Sequence, residues 1–278
     1  MTPARAREVT VIVPGRGWMP IDLAELWRSW ELLYFLVWRD IKVRYKQTLL
    51  GVTWAVLQPV LTMLLFTLVF SRLARIPSEG VPYPLFSFAA LVPWQLFANG
   101  LTQAANSLVA SANLVRKVYF PRLLIPMASV VAGLVDFAVA LGVLIVLMLF
   151  YGQPPTGRAA WLPVFVLLAF AASLGVGLWL AALNAQFRDV RYVIPFLTQV
   201  WLFITPIAYP SRLVPPAWQP LYALNPMVGV VEGCRWALLG TPAPAASLIA
   251  TSAATTLLLL VGGAYYFRRL ERDVADVL

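Results

Sequence analysis

Long stretches without charge are the feature that most limits what this chain can fold into. Residues 51–70 contain no Asp, Glu, Lys or Arg. Twenty residues in a helix rise about 30 Å, the thickness of the hydrocarbon core of a bilayer. Further apolar stretches follow at about residues 85–108, 123–150, 161–183, 193–209 and 245–267. The chain is 61% hydrophobic and only 12% charged, unlike a soluble domain. The sequence therefore predicts an all-α integral membrane protein with six transmembrane helices.

Two segments outside these stretches are predicted to lie in or near the membrane surface. In residues 21–48, apolar and charged side chains fall on opposite faces of a helix, which is typical of an amphipathic interfacial helix. The alternative, a helix packed on a soluble core, is disfavoured because the sequence offers no such core. Residues 227–239 are apolar but short, and they contain Glu232 and Arg235. They favour a re-entrant helical hairpin between the fifth and sixth spans.

Basic residues predict the orientation of the chain. Residues 1–20 read as an irregular tail, residues 49–267 as the transmembrane domain and residues 268–278 as a second tail. Six spans put both termini on one side, and 16 of the 21 Lys and Arg residues fall on that side. Because Lys and Arg concentrate on the cytoplasmic side, both termini are predicted to be cytoplasmic and the hairpin extracytoplasmic.

Missing residue types exclude several kinds of chemistry. The sequence has no histidine and one cysteine, Cys234, which argues against zinc sites and histidine-based catalysis. It has no G-x-x-x-x-G-K-[ST] motif, so it cannot hydrolyse ATP by a P-loop mechanism. A membrane enzyme such as a lipid-linked glycosyltransferase is an alternative, but the loops lack a cluster of carboxylates. If the chain performs work, we expect another subunit to supply the energy.

Some residues within the apolar stretches are candidates for a substrate path. Asp136 lies in the third span, where an acidic group costs about 2.5–3.5 kcal/mol on insertion scales. It could serve a substrate path or a proton relay, but an isolated acid favours a structural hydrogen bond to a neighbouring helix. Aromatic residues within the first and fifth spans could stack on sugar rings, although packing against lipid is the simpler explanation. These candidate channel-lining residues are Trp54, Phe66, Phe70, Phe196, Trp201 and Phe203.

Four blocks of sequence resemble one family of membrane transporters. They are WRDIKVRYKQTLLGVTWAVLQPV (38–60), SLVASANLVRKVYFPRLLIP (107–126), LNAQFRDVRYVIPFLTQVW (183–201) and LYALNPMVGVVEGCRWALLG (221–240). In this order they resemble the permease subunits of ABC-2 type transporters, in the polysaccharide and polyol-phosphate exporter family. The resemblance extends over about residues 30–267.

The resemblance implies a partner-dependent exporter. Such permeases form homodimers above two copies of a separate ATPase subunit, which binds the ATP and Mg, so no cofactor is expected in this chain. The substrate would be a lipid-linked polysaccharide that crosses the bacterial inner membrane through a channel at the dimer interface. O-antigen is the first expectation. Capsule or teichoic acid, or a small molecule or drug carried by an ABC-2 exporter, are the alternatives.

The resemblance also assigns roles to residues. The ATPase-coupling segment would comprise Asn113, Leu114, Val115, Arg116, Lys117, Val118, Tyr119, Phe120, Pro121 and Arg122. Its cations would attract an acidic groove and Tyr119 and Phe120 would anchor it, although the positive-inside rule alone also explains a basic loop here. The interfacial gate helix would present Trp30, Tyr34, Trp38, Arg39, Lys42, Arg44 and Lys46. Its cations could bind a lipid pyrophosphate or anionic headgroups, and the sequence does not decide between them.

Overall fold

The computed structural model describes residues 23–46, 52–118 and 120–277, and no β-strand occurs among them. The predicted tail at residues 1–20 lies outside this part of the chain. The described residues form eleven α-helices: α1 (Leu23–Arg28), α2 (Trp30–Lys46), α3 (Val52–Phe66), α4 (Tyr83–Ala110), α5 (Ala112–Lys117), α6 (Leu124–Phe150), α7 (Leu162–Gln186), α8 (Val190–Ile204), α9 (Gln219–Ala223), α10 (Pro226–Leu239) and α11 (Ala246–Val277). The all-helical prediction is confirmed for the described residues.

Among the described residues, five helical stretches are long and apolar enough to cross a membrane. They are Val56–Leu73, Tyr83–Ala110, Leu124–Phe150, Gly157–Gln186 and Ala246–Leu270, and they correspond to the first four predicted spans and the sixth. The first of these joins α3 to a π-helix, Thr67–Leu73. The fifth predicted span, residues 193–209, differs. Its helix, α8, has 15 residues and ends at Ile204, because the residue before Pro206 is disfavoured in helical conformation.

Helix α4 lies at the centre of the fold. It packs against α3, α6, α7, α8 and α10, and most of its side chains are buried. At the C-terminal end of α4, a cluster of buried residues around Leu108 and Phe267 joins α4 to α2, α5, α7 and α11. A helix that is apolar on nearly every side belongs inside a bundle.

Glycines bring α7 and α11 into close backbone contact. A Cβ atom at Gly263 would lie 2.5 Å from the carbonyl oxygen of Gly175, and one at Gly175 would lie 2.7 Å from the backbone nitrogen of Leu260. Close approach through small residues is a common way for membrane helices to associate. Nearby, Trp179 of α7 stacks on Tyr266 of α11 with ring centroids 4.6 Å apart. The two helices therefore form the tightest backbone contact of the fold.

A buried arginine holds α10 to the rest of the bundle. The guanidinium of Arg235 is fully buried and lies 3.5 Å from the ring centroid of Phe86 on α4. It donates hydrogen bonds to the backbone carbonyl oxygens of Phe86 (3.1 Å) and Ile207 (2.7 Å), and it pairs with Glu232 at 3.4 Å. Glu232 in turn accepts a hydrogen bond from the backbone N–H of Ser211. Arg235 therefore connects α4, α10 and the non-helical segment after α8.

A second carboxylate lies close to this network. The side chain of Glu79, in the loop before α4, is only 7% exposed, and it pairs with the exposed Arg212 at 3.1 Å. Burial and the nearby charge of Glu232 raise the pKa of the Glu79 carboxyl, while Arg212 opposes the shift. The loop before α4 and the segment after α8 are thus joined by charge as well as by packing.

Replacing Arg235 should strongly destabilise the fold. Arg235→Met keeps an unbranched side chain but leaves Glu232 buried without its cation, and breaking a buried pair in this way costs about 3–5 kcal/mol. Arg188→Met is the control, because Arg188 is exposed on the loop before α8 and surface substitutions usually change stability by no more than about 0.5 kcal/mol. Equilibrium unfolding in mixed detergent micelles measures both, and equal losses would contradict the role given to Arg235.

Candidate functional site

Helix α2 lies against the bundle through leucines and leaves its aromatic residues outside. Leu36 is buried, with Leu32, Leu33 and Val37 partly buried beside it. Trp30, Tyr34, Phe35 and Trp38 are exposed. The segment predicted as one amphipathic helix is thus two helices that break at Ser29, with two apolar faces. The aromatic face remains open to a surrounding membrane interface, as an interfacial helix requires.

Polar side chains attach the end of α2 to α6. Arg44 forms an ion pair with Asp136, and the Tyr45 hydroxyl donates a hydrogen bond to the same carboxylate. Burial, followed by this hydrogen bond, raises the pKa of Tyr45 to about 12, so the phenol stays protonated and remains a donor. Asp136 therefore bonds to a neighbouring helix, α2, as expected if its role is a structural hydrogen bond.

A second polar contact lies about one turn earlier on α2. Arg39 pairs with Asp40 at 2.9 Å, and its guanidinium reaches the hydroxyl of Ser111 at 3.5 Å. Ser129 of α6 donates a hydrogen bond to Asp40 at 3.3 Å. Ser111 is the residue immediately before α5. Helix α2 is therefore bonded both to α6 and to the start of the predicted coupling segment.

A polar groove lies between α2, α3, α4 and α6. One cavity of about 380 Å³ is lined by Arg44, Tyr45, Trp54 and Asp136, among others. A second cavity of about 520 Å³ is lined by residues that include Arg39, Asp40, Asn106 and Ser111. Both cavities contact Arg44 and Gln103, so together they form one groove. The groove runs along α4 towards α5.

A row of side-chain amides lines this groove, and the sequence analysis missed it. The row comprises Gln58 on α3 and Gln95, Asn99 and Gln103 on α4. The three amides on α4 are spaced by four residues, which places them on one side of a helix. That spacing within an otherwise apolar span is the signal that could have revealed them.

The candidate channel-lining aromatics fall into three groups. Trp54 is exposed and lines the first of the two cavities that form the groove, the one of about 380 Å³. Phe196 and Phe203 are exposed on α8. Phe66 is buried, Phe70 packs against it, and Trp201 packs on Phe97 while donating a hydrogen bond to Asn225. In this conformation Phe66, Phe70 and Trp201 therefore pack inside the bundle and do not line the groove.

The predicted coupling segment forms a short helix with one buried side. Val115 is buried, Leu114 is partly buried, and Asn113, Arg116, Lys117 and Val118 are exposed. Phe120 is only 8% exposed and packs in the same cluster as Val115. Tyr119 lies outside the described residues. Phe120 thus anchors the segment to this chain's own core, unlike the partner-facing anchor that was expected.

The remaining cations of the predicted gate helix point away from the groove. Lys42 and Lys46 are exposed and line neither cavity. The ammonium of Lys42 lies 5.0 Å from the ring centroid of Trp38. This distance permits a cation–π contact on the open face of α2. Arg44 is directed to Asp136, so the basic residues of α2 divide between two faces.

Removing the Asp136 carboxylate should loosen the end of α2. Asp136→Leu eliminates the acceptor of both Arg44 and Tyr45, so we expect backbone amides of residues 39–46 to exchange with solvent at least tenfold faster. The exchange is measured by mass spectrometry on the purified protein. Asp189→Leu is the control, because Asp189 is exposed on a loop. Unchanged exchange in Asp136→Leu would show that these contacts do not hold α2.

Comparison with known proteins gives a consistent result. The family model described as ABC-2 type transporter matches residues 31–239. The O-antigen export system permease protein RfbA of Myxococcus xanthus is 35% identical over 74% of this chain and 80% of its own length. A protein of the same name from Klebsiella pneumoniae is 29% identical over 74% and 79%. The polysialic acid transport protein KpsM of Escherichia coli is 26% identical over 72% and 78%.

The family match covers three quarters of the chain and includes α2, the groove, the coupling segment and α10. The helical architecture, with five helices able to cross a membrane in the part of the chain that the structure describes, agrees with a multi-pass permease. This chain belongs to the ABC-2 type transporter family.

Proposed function

We propose that this chain is the permease subunit of an ATP-driven exporter that moves lipid-linked O-antigen across the bacterial inner membrane. The observation that carries the proposal is the 35% identity to an O-antigen export permease over 80% of that protein's length. Capsule export is the second candidate. It rests on the lower identity, 26%, to a polysialic acid transport protein.

The energy for export would come from a separate ATPase. The sequence contains no P-loop motif, so two copies of a partner subunit would bind ATP and Mg. The partner would dock on the exposed side of α5, where Arg116, Lys117 and Val118 form a basic surface with an apolar residue beside it. The contacts of Arg39 with Ser111 and of Asp40 with Ser129 provide a physical connection from this surface to α2. Movement of the docked segment would therefore reach the gate helix directly.

The path for the glycan would lie between two copies of this chain. Phe196 and Phe203 on α8, and Trp54 on α3, are large rings that one copy leaves exposed. Lipid would cover part of this surface, and the second copy would cover the rest. Rings can stack on the CH faces of sugars without holding a charge, which suits a channel for a long polymer.

The proposed topology has six crossings and cytoplasmic termini. Helix α8, with the residues after it, would make the fifth crossing, although its 15 residues rise only about 22 Å. Helix α10 would form the re-entrant hairpin at the outer end, where Arg235 fixes it. The distribution of Lys and Arg supports this orientation.

Deleting the gene tests the function. We expect cells without this chain to lose long O-antigen from the surface lipopolysaccharide and to accumulate lipid-linked glycan inside, and a plasmid copy to restore export. Gel analysis of lipopolysaccharide and extraction of the lipid-linked pool measure the two effects. Loss of capsule with intact O-antigen would favour the second candidate. Normal levels of both polymers would contradict the proposal.

Charge reversal on α5 tests the docking surface. Arg116→Glu with Lys117→Glu replaces two exposed cations, so the amount of ATPase that co-purifies with the permease should fall at least tenfold while membrane insertion is unchanged. Arg158→Glu is the control, because Arg158 is equally exposed but lies in the loop between α6 and α7. Phe120→Ala should instead lower stability. Wild-type co-purification of the double variant would exclude this surface as the dock.

A further inference from the structure

The amides that line the groove have unused hydrogen-bonding capacity. Within the part of the chain that the structure describes, the side chains of Gln58, Gln95, Asn99 and Gln103 have no hydrogen-bond partner. Each amide carries two N–H donors and a carbonyl oxygen that can accept two bonds. Gln58, Asn99 and Gln103 are exposed to the groove and Gln95 is partly exposed, so their polar atoms are open to water or to another polar occupant. The groove therefore offers hydrogen-bond donors and acceptors that the protein itself does not use.

Two other amides nearby show what a purely structural role looks like. Asn184 of α7 donates hydrogen bonds to the backbone oxygen of Ala105 at 2.9 Å and to the side-chain oxygen of Asn106 at 3.1 Å. Asn106 donates in turn to the backbone oxygen of Thr102. These amides join α4 to α7 through hydrogen bonds within the protein. The three amides of the row that lie on α4, and Gln58 on α3, make no such contacts.

The charges in the groove are balanced. Arg44 is paired with Asp136, and Arg39 is paired with Asp40. The exposed cations Lys42 and Lys46 line neither cavity. An anionic occupant such as a phosphate would have to displace a carboxylate from Arg44 or Arg39. The charge balance therefore favours an uncharged occupant that is rich in hydrogen-bonding groups.

Aromatic rings complete the chemistry of the groove. Trp54 and Tyr45 line the same cavity as the amide row. Amides that satisfy hydroxyl groups, together with rings that cover apolar CH faces, are suited to a sugar. Gln95 and Gln103 are eight residues apart on α4, a rise of about 12 Å, so the row is long enough for more than one sugar ring.

We propose that the amide row formed by Gln58, Gln95, Asn99 and Gln103 in each copy of the permease binds uncharged, hydroxyl-rich sugar units of the exported glycan. This inference rests on the proposed function and adds to it a contact surface that lies between α2, α3, α4 and α6. The row holds sugar hydroxyls through neutral hydrogen bonds, each individually weak, so the polymer can be held and still advance.

Cysteine labelling tests occupancy of the groove in the assembled transporter. Asn99→Cys and Gln103→Cys are made in a Cys234→Ala background, and labelling by a small maleimide is followed in two kinds of membranes. One comes from cells that make the lipid-linked glycan, and the other comes from cells that lack its first glycosyltransferase. We expect labelling to be at least fivefold slower where the glycan is made. Thr156→Cys, in the exposed loop between α6 and α7, should label at the same rate in both. Equal rates at positions 99 and 103 would overturn the proposal and leave the groove as a water-filled cavity.

Two triple variants separate the chemistry of the row from its shape. In the apolar variant, Gln95→Met, Asn99→Leu and Gln103→Met remove the amides while keeping similar volume. In the amide variant, Gln95→Asn, Asn99→Gln and Gln103→Asn exchange the two amide types. We expect surface glycan to fall at least tenfold in the apolar variant and to be at least fivefold higher in the amide variant than in the apolar one, with both proteins at normal levels in the membrane.

The outcomes separate this inference from the proposed function. If gene deletion abolishes export but the apolar variant exports normally, the amide row has no role and the exporter assignment stands. If gene deletion leaves export intact, the proposed function fails before the row is tested. If the apolar variant does not accumulate in the membrane, the labelling rates at positions 99 and 103 decide the question.

Discussion

Non-helical backbone inside a membrane protein needs hydrogen-bond partners, and Arg235 supplies them at one end of this fold. The segment after α8 leaves its helix at Thr205, so its carbonyl groups lack the partners that a continuing helix would give. Arg235 reaches two of these carbonyls, at Ile207 and Tyr209, as well as that of Phe86. An arginine suits this task because its guanidinium carries five donors in a fixed plane and remains charged. The short helix α10 is held by the same contacts, so one side chain joins three parts of this end of the fold.

The opposite end of α4 is held together differently. There α2 rests on leucines and on ion pairs that line a groove and are partly open to solvent. Ion pairs of this kind contribute less than buried ones and respond to changes in their surroundings. A transporter needs one region that keeps its shape and another that can rearrange, and the distribution of these contacts provides both. The groove lies on the side that can rearrange, next to α5.

Sequence patterns predicted the helices well but not the contacts between them. The absence of charge over about twenty residues is a local property, so α4, α6 and α7 were found with ends within three residues of those observed. The end of α8 was predicted five residues too late, because the sequence stays apolar past Pro206 although the helix ends at Ile204. Arg44 and Asp136 are 92 residues apart in the chain, and nothing local indicates that they meet. Phe120 was expected on a surface because it lies in a basic loop, whereas its burial depends on Leu36 and Leu108 arriving from other helices. The amides on α4 were visible in the sequence but gained meaning only when α3 was found across the groove from them.

The close contact of α7 with α11 has a mechanical consequence. Because the backbone of Gly263 lies against the carbonyl of Gly175, there is no layer of side chains between the helices that could deform. A slide of one helix along the other would drive the next side chain, which is larger than hydrogen, into the facing backbone. We therefore expect α7 and α11 to move as one body in any rearrangement of the other helices.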